Sequence, residues 1–286
     1  MLELSFDGPS GRLSALHFTP RSAPEHAPRR VLALHGWLDN AASFHSLASA
    51  LPELDLVALD LAGHGHSGWR PLGAGYALVD HLQDLVAVLD QLQWPSCTLI
   101  GHSMGGAIAS LLAVAAPDRV DALVCIDALG PLSLPESESP GRLLRALKAR
   151  TEPAPRRRVF SSIEDATTQR ARLNGLTPEQ VRPLVERALR TVDEGHIWAA
   201  DPRLQWPSAA PMSEAQVRAC LQAIRQPTLV VAAEETDPRL PRLEVIERLA
   251  CVPQAQAHRL PGGHHLHLSN TAAVAAFIRE FLGGST

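Results

Sequence analysis

The sequence predicts an α/β protein with a mostly parallel, doubly wound sheet and a helical cap inserted after the strand ending at Ile126. Three observations carry this expectation. Short, near-continuous apolar runs alternate with segments of helical period, as in parallel sheets covered on both faces. The alternation stops after Ile126, and no convincing strand follows until Thr228. A strand and an amphipathic helix then close the chain.

Taken in order, the segment from Phe6 through Leu13 to Phe18, with Gly8 and Gly11 between, reads as an antiparallel hairpin at one sheet edge. Val31–Leu34, Leu56–Leu59, Thr98–Ile100, Leu123–Ile126 and Leu229–Val231 read as buried strands. Leu82, Leu85, Val86, Leu89 and Leu92 keep one helical face, with Asp80 and Gln83 spaced as a capping box. Met104, Ala107, Ile108, Leu111, Leu112 and Ala115 form a second stripe, stopped by Pro117. The last helix presents Val274, Phe277, Ile278, Phe281 and Leu282. The insertion carries helical faces at Leu143, Leu144 and Leu147, and at Val181, Leu184, Val185, Ala188 and Leu189. The expected organisation is a core from residues 1–130, a helical cap from 131–218, and the rest of the core from 219–286.

The 286 residues suffice for a large buried core, and 45% apolar against 20% charged residues is an ordinary globular balance. A net charge of -4 offers no electrostatic case for nucleic acid, and no apolar run is long enough to span a bilayer. Neither a basic nor an apolar leader region opens the chain, and the four cysteines have no metal or redox spacing. A cytoplasmic protein is the expectation, its oligomeric state undetermined. The triplet Arg156-Arg157-Arg158 reads as the solvated flank of a cap helix.

The densest chemical signal is Gly101-His102-Ser103-Met104-Gly105-Gly106, directly after a strand and directly before a helix. A sharp turn there strains the central residue and exposes it, and flanking glycines remove Cβ atoms that would clash. The turn also sets the Ser103 hydroxyl at a helix N-terminus, where N–H groups point toward developing negative charge. His35-Gly36-Trp37 ends the first parallel strand, and Pro261-Gly262-Gly263-His264-His265-Leu266-His267 precedes the last helix. Three clustered histidines lack a carboxylate or cysteine at metal-ligand spacing, so neither a metal nor an organic cofactor is expected. His64 and His66 read as loop-shaping residues. Asp127 ends its strand, whereas Asp237 lies in Glu234-Glu235-Thr236-Asp237-Pro238 after a later one; either could equally be a cap or a loop salt-bridge partner.

These motifs resemble the α/β-hydrolase superfamily over essentially the whole core. His35-Gly36-Trp37-Leu38-Asp39-Asn40-Ala41-Ala42-Ser43-Phe44, the Ser103 motif and Pro261-Gly262-Gly263-His264 resemble, more narrowly, the serine hydrolase-like protein family, with a weaker match at Asp201-Pro202-Arg203-Leu204. The resemblance implies Ser103 as nucleophile, His264 as general base, and an oxyanion hole from the Trp37 and Met104 N–H groups. Most superfamily members place the acid where Asp237 lies, in a Gly-x-x-Asp pattern that this sequence lacks; the narrower family favours Asp127. Haloalkane dehalogenases include members with the acid at the Asp127 position, while serine in place of a nucleophilic aspartate speaks against dehalogenase or epoxide hydrolase chemistry. The expectation is hydrolysis of a small or medium carboxylic ester, with a thioesterase, a lactonase or a non-catalytic binding protein as alternatives. Trp198, Met212 and His35 are candidate pocket residues; Trp206 reads rather as part of the cap's own core.

Overall fold

The computed structural model describes all residues except 10, 22–26, 153–156, 236–244 and 284–286. It opens on the antiparallel hairpin β1 (Leu2–Gly8) and β2 (Gly11–Phe18), followed by β3 (Arg30–Leu34), the short helix α1 (His45–Ala50) and β4 (Asp55–Asp60). Then come α2 (Asp80–Gln91), β5 (Cys97–His102), α3 (Met104–Ala115) and β6 (Val120–Ile126). The inserted region holds α4 (Ser139–Thr151), α5 (Ile163–Asn174), α6 (Pro178–Ala188), the hairpin β7 (Leu189–Val192) and β8 (Gly195–Trp198), and α7 (Glu214–Gln222). β9 (Thr228–Ala233), the one-turn helix α8 (Val245–Arg248), β10 (Ala255–Leu260), the one-turn helix α9 (Leu266–Ser269) and α10 (Thr271–Gly283) complete the chain.

Eight strands form one sheet in the order β1-β2-β4-β3-β5-β6-β9-β10, and β7 pairs only with β8. From β4 to β10 every pairing is parallel; β1 and β2 add antiparallel strands at one edge. Alternation along the pleat divides the apolar strands between two cores. Leu32, Leu34, Val57, Leu59 and Leu99 meet α2, α3 and α7 on one side. Val31, Ala33, Leu56, Ala58 and Ile100 meet α1 and α10 on the other. No helix of the described residues is long and apolar enough to cross a membrane. The four cysteines are free thiols, and burial pushes Cys97 and Cys125 up to about 12.

Three local expectations need correction. Asp80 and Gln83 form no capping box: Asp80 is already inside α2, Val79 is the N-cap, and the Asp80 carboxylate accepts from the Ala77 N–H instead. Capping boxes do open α6, at Thr177 with Gln180, and α7, at Ser213 with Gln216. The inserted region also contains a hairpin, in which Leu189 pairs with Trp198 rather than extending the α6 face. Its four-residue strands are too short and too polar for a period-2 signal. Finally, Leu143, Leu144 and Leu147 of α4 face solvent, whereas Val181, Leu184 and Val185 of α6 are buried.

Polar contacts tie the insertion to the sheet. Buried Arg187 of α6 bonds Asp60 at the end of β4 and Glu3 of β1. Asn40 donates to the Leu184 carbonyl, and the Asp201 carboxylate accepts from the Tyr76 hydroxyl. These bonds seat α6 and the Asp201 turn beside the ends of the strands.

Candidate active site

Ser103 sits between β5 and α3 with φ 51° and ψ −116°, a backbone conformation that costs about 1–3 kcal/mol for a non-glycine residue. The neighbouring glycines are sterically required. A Cβ on Gly101 would come within 2.5 Å of the Gly105–Gly106 backbone, and one on Gly105 within 1.9 Å of the Leu34 carbonyl oxygen. The second approach shows how closely the end of β3, and hence His35-Gly36-Trp37, lies against the turn. The Ser103 N–H donates to the Ile126 carbonyl at 3.0 Å, fixing the turn to the end of β6.

The structure brings Ser103, His264 and Asp127 into one chain of hydrogen bonds. His264 Nε2 lies 2.8 Å from Ser103 Oγ, and His264 Nδ1 lies 2.6 Å from Asp127 Oδ2. A carboxylate only accepts, so Nδ1 carries the ring proton and the Nε2 lone pair faces the serine hydroxyl. Asp127 also has positive φ, 48°. Its N–H donates to the Val231 carbonyl at 2.8 Å, and its Oδ1 accepts the Ala233 N–H at 2.9 Å. The end of β9 therefore holds Asp127 in place. Asp237 lies outside the described residues.

Met104 is the first residue of α3, where the N–H has no partner in its own helix. The Trp37 indole is half exposed and donates to the Leu204 carbonyl at 3.0 Å, so the ring braces the turn at Pro202–Gln205.

The structure engages the three expected pocket residues in packing or hydrogen bonds. His35 is fully buried: Nδ1 donates to the Gly36 carbonyl, Nε2 accepts the Leu61 N–H, and burial pushes the ring down to about 4. Both nitrogens are engaged, and the ring has no exposed surface. Trp198 packs edge-on against Phe160 at 5.2 Å in the small core of the insertion, and Met212 packs against the main core. Trp206 lies under the Arg150 guanidinium, 5.6 Å from its ring centre. Of the arginine triplet, Arg157 is half-buried and lies over Trp69, whereas Arg158 is exposed, in keeping with a solvated flank, with its guanidinium over the ring of Phe160; Arg156 lies outside the described residues. His64 packs on His35 with its Nδ1 toward the Ala62 carbonyl, in keeping with a loop-shaping role.

Sequence reasoning missed a buried polar group behind His264. His102 Nε2 donates to the His264 carbonyl at 2.9 Å, and its Nδ1 faces Asp39 Oδ2 at 3.6 Å. Asp39 Oδ1 accepts from Arg170 of α5, and His267 Nε2 bonds the Ser43 hydroxyl at 2.6 Å. No local sequence signal pairs residues so far apart. Among the described residues no group of three or more His, Cys, Asp or Glu could hold a metal ion.

Comparison with known proteins agrees with the architecture. A family model described as the alpha/beta hydrolase fold matches residues 29–271. A serine hydrolase-like protein from Dictyostelium discoideum is 30% identical over 274 residues, covering 91% of this chain and 76% of its own. Human serine hydrolase-like protein 2 is 30% identical over 305 residues, covering 98% and 93%. The crystal structure of a hypothetical protein from Pseudomonas aeruginosa superposes with a TM-score of 0.88 at 37% identity, over 99% of this chain and all of that one. With this sheet order, the strained serine between β5 and α3, and a family model spanning most of its length, the chain belongs to the α/β-hydrolase fold family.

Proposed function

We propose that this hydrolase cleaves carboxylic esters through a Ser103–His264–Asp127 triad. The observation that carries the reading is the pair of contacts at His264, 2.8 Å to the serine hydroxyl and 2.6 Å to the carboxylate. In the first half-reaction Ser103 Oγ attacks the ester carbonyl while His264 Nε2 takes its proton. The N–H groups of Trp37 and Met104 receive the developing oxyanion. Collapse of the tetrahedral intermediate breaks the bond to the leaving alcohol, which departs with the proton from His264. Water then attacks the acyl-enzyme, giving its proton to His264, and the carboxylic acid leaves as Ser103 is restored. Asp127 holds the imidazole in the competent tautomer and offsets its positive charge during both steps. Residues 131–218 form the cap over the strand ends in this reading, and the substrate is a small or medium ester.

The test is labelling with a fluorophosphonate probe, followed by hydrolysis of a p-nitrophenyl ester series of increasing chain length. Wild-type protein is expected to label and turn over short and medium esters. Ser103→Ala should do neither, with turnover lower by on the order of 10⁶-fold and the fold retained. Near-normal hydrolysis by Ser103→Ala would remove the nucleophile from the mechanism.

A further inference from the structure

His102 precedes the nucleophile, yet its side chain is fully buried and packs among the rings of His264, His265 and His267, with centroids 4.8, 5.0 and 4.2 Å away. Because a carbonyl oxygen only accepts, the contact between His102 Nε2 and the His264 carbonyl places the proton on Nε2. The lone pair on Nδ1 then points at Asp39 Oδ2, 3.6 Å away, and among the described residues neither of these buried atoms has a hydrogen-bond partner. Burial pushes His102 down to about 4, so the ring is neutral where esters are hydrolysed by a histidine base. Burial alone would raise Asp39, but the charge of Arg170 holds its carboxyl well below the usual range.

The other end of this group is the insertion. Arg170 of α5 donates to Asp39 Oδ1, and Asn174, the last residue of α5, bonds His265 Nε2 at 3.2 Å. Two residues of one helix thus reach the loop that carries His264, one of them through Asp39 and His102.

We propose that His102 is a positioning residue for the catalytic histidine: its Nε2–H anchors the His264 backbone, and Asp39, held by Arg170, packs against the far side of the His102 ring. Helix α5 thereby sets the placement of His264 against Ser103. The inference rests on the triad reading of the preceding subsection. It adds a second point of attachment, since His264 is held through its side chain by Asp127 and through its peptide by His102.

The test compares His102→Gln, His102→Leu and Arg170→Met with wild type, by kcat and KM on a p-nitrophenyl ester, fluorophosphonate labelling rate and thermal melting. A glutamine amide can present its nitrogen where Nε2 stands, and leucine cannot. Displacing a catalytic group by about 1 Å costs up to roughly 100-fold, so His102→Leu should lose on the order of 10- to 100-fold in kcat and labelling rate at nearly unchanged KM. His102→Gln should recover most of that loss, and Arg170→Met should lower kcat in the same direction by a smaller factor. Equal impairment of Gln and Leu, or wild-type kcat in a folded His102→Leu, would overturn the proposal. If His102→Leu shows no cooperative melt, His102→Gln and Arg170→Met decide: wild-type kcat in Arg170→Met, or loss of labelling in a folded His102→Gln, overturns it. Failure of the triad reading looks different, because wild-type protein itself would then neither label nor hydrolyse.

Discussion

Asp127→Asn isolates the role of the acid, because two donors converge on this carboxylate. Oδ2 faces the His264 Nδ1–H at 2.6 Å and Oδ1 faces the Ala233 N–H at 2.9 Å. An asparagine has a single acceptor oxygen to offer both. If that oxygen keeps the Ala233 N–H, the amide NH₂ faces Nδ1 and drives the proton to Nε2, where the ring can no longer accept from Ser103. If the amide flips, its NH₂ meets the part-buried Ala233 N–H, leaving donors unsatisfied at a cost of about 1–3 kcal/mol. The first arrangement is therefore favoured, and it is the inactive tautomer. Turnover should fall by up to about 10⁴-fold, as in the protease precedent, equivalent to roughly 5 kcal/mol of transition-state stabilisation. The fold should hardly notice, since asparagine tolerates the positive φ of 48° at this position as well as aspartate does. The assay is kcat/KM on a short p-nitrophenyl ester together with the melting temperature. Activity within tenfold of wild type, roughly 1.4 kcal/mol, with an unchanged melt would refute the reasoning and transfer the acid to Asp237, to be checked by Asp237→Asn.

Other outcomes follow from the same geometry. Gly105→Ala should destabilise the protein severely, because its Cβ would lie 1.9 Å from the Leu34 carbonyl oxygen and rigid backbone stands on both sides; a cooperative melt at the wild-type temperature would show that the turn is not as tight as described. Arg187→Met removes the partner of Asp60, which is fully buried, and should cost about 3–5 kcal/mol in denaturant unfolding, as expected when one member of a buried pair is deleted; a loss below about 1 kcal/mol would class the pair with surface ion pairs. Burial lowers His35 and His102 to about 4 and His64 to about 3, so between pH 6.5 and 4 the unfolded chain binds protons that the folded one refuses. Stability should therefore decline as pH falls below 6.5; a melting temperature flat from pH 6.5 to 5 would contradict the buried, neutral state of these rings.

The sequence by itself was enough for the sheet and for the turn at Ser103. Strands β3, β4, β5, β6 and β9 are buried on both faces, so their apolar character runs unbroken and needs no knowledge of their neighbours. Gly101 and Gly105 are legible because the clash they avoid belongs to a turn of known shape. Tertiary structure alone decided what depends on distant chain segments. Sequence reading favoured Asp127 over Asp237 as the acid without any means of placing it; the contacts of Asp127 with the Ala233 N–H, the Val231 carbonyl and His264 come from a neighbouring strand and a distant loop. His35 looked available for a pocket until β4's continuation at Leu61 closed over its Nε2. The contact of Arg170 with Asp39, and that of His102 with the His264 carbonyl, join residues that no local period or motif relates. Periodicity records which face of an element is buried, because burial acts on every turn or every second residue along it. A single hydrogen bond between remote residues leaves no such repeat, and only the packed sheet brings its two ends together.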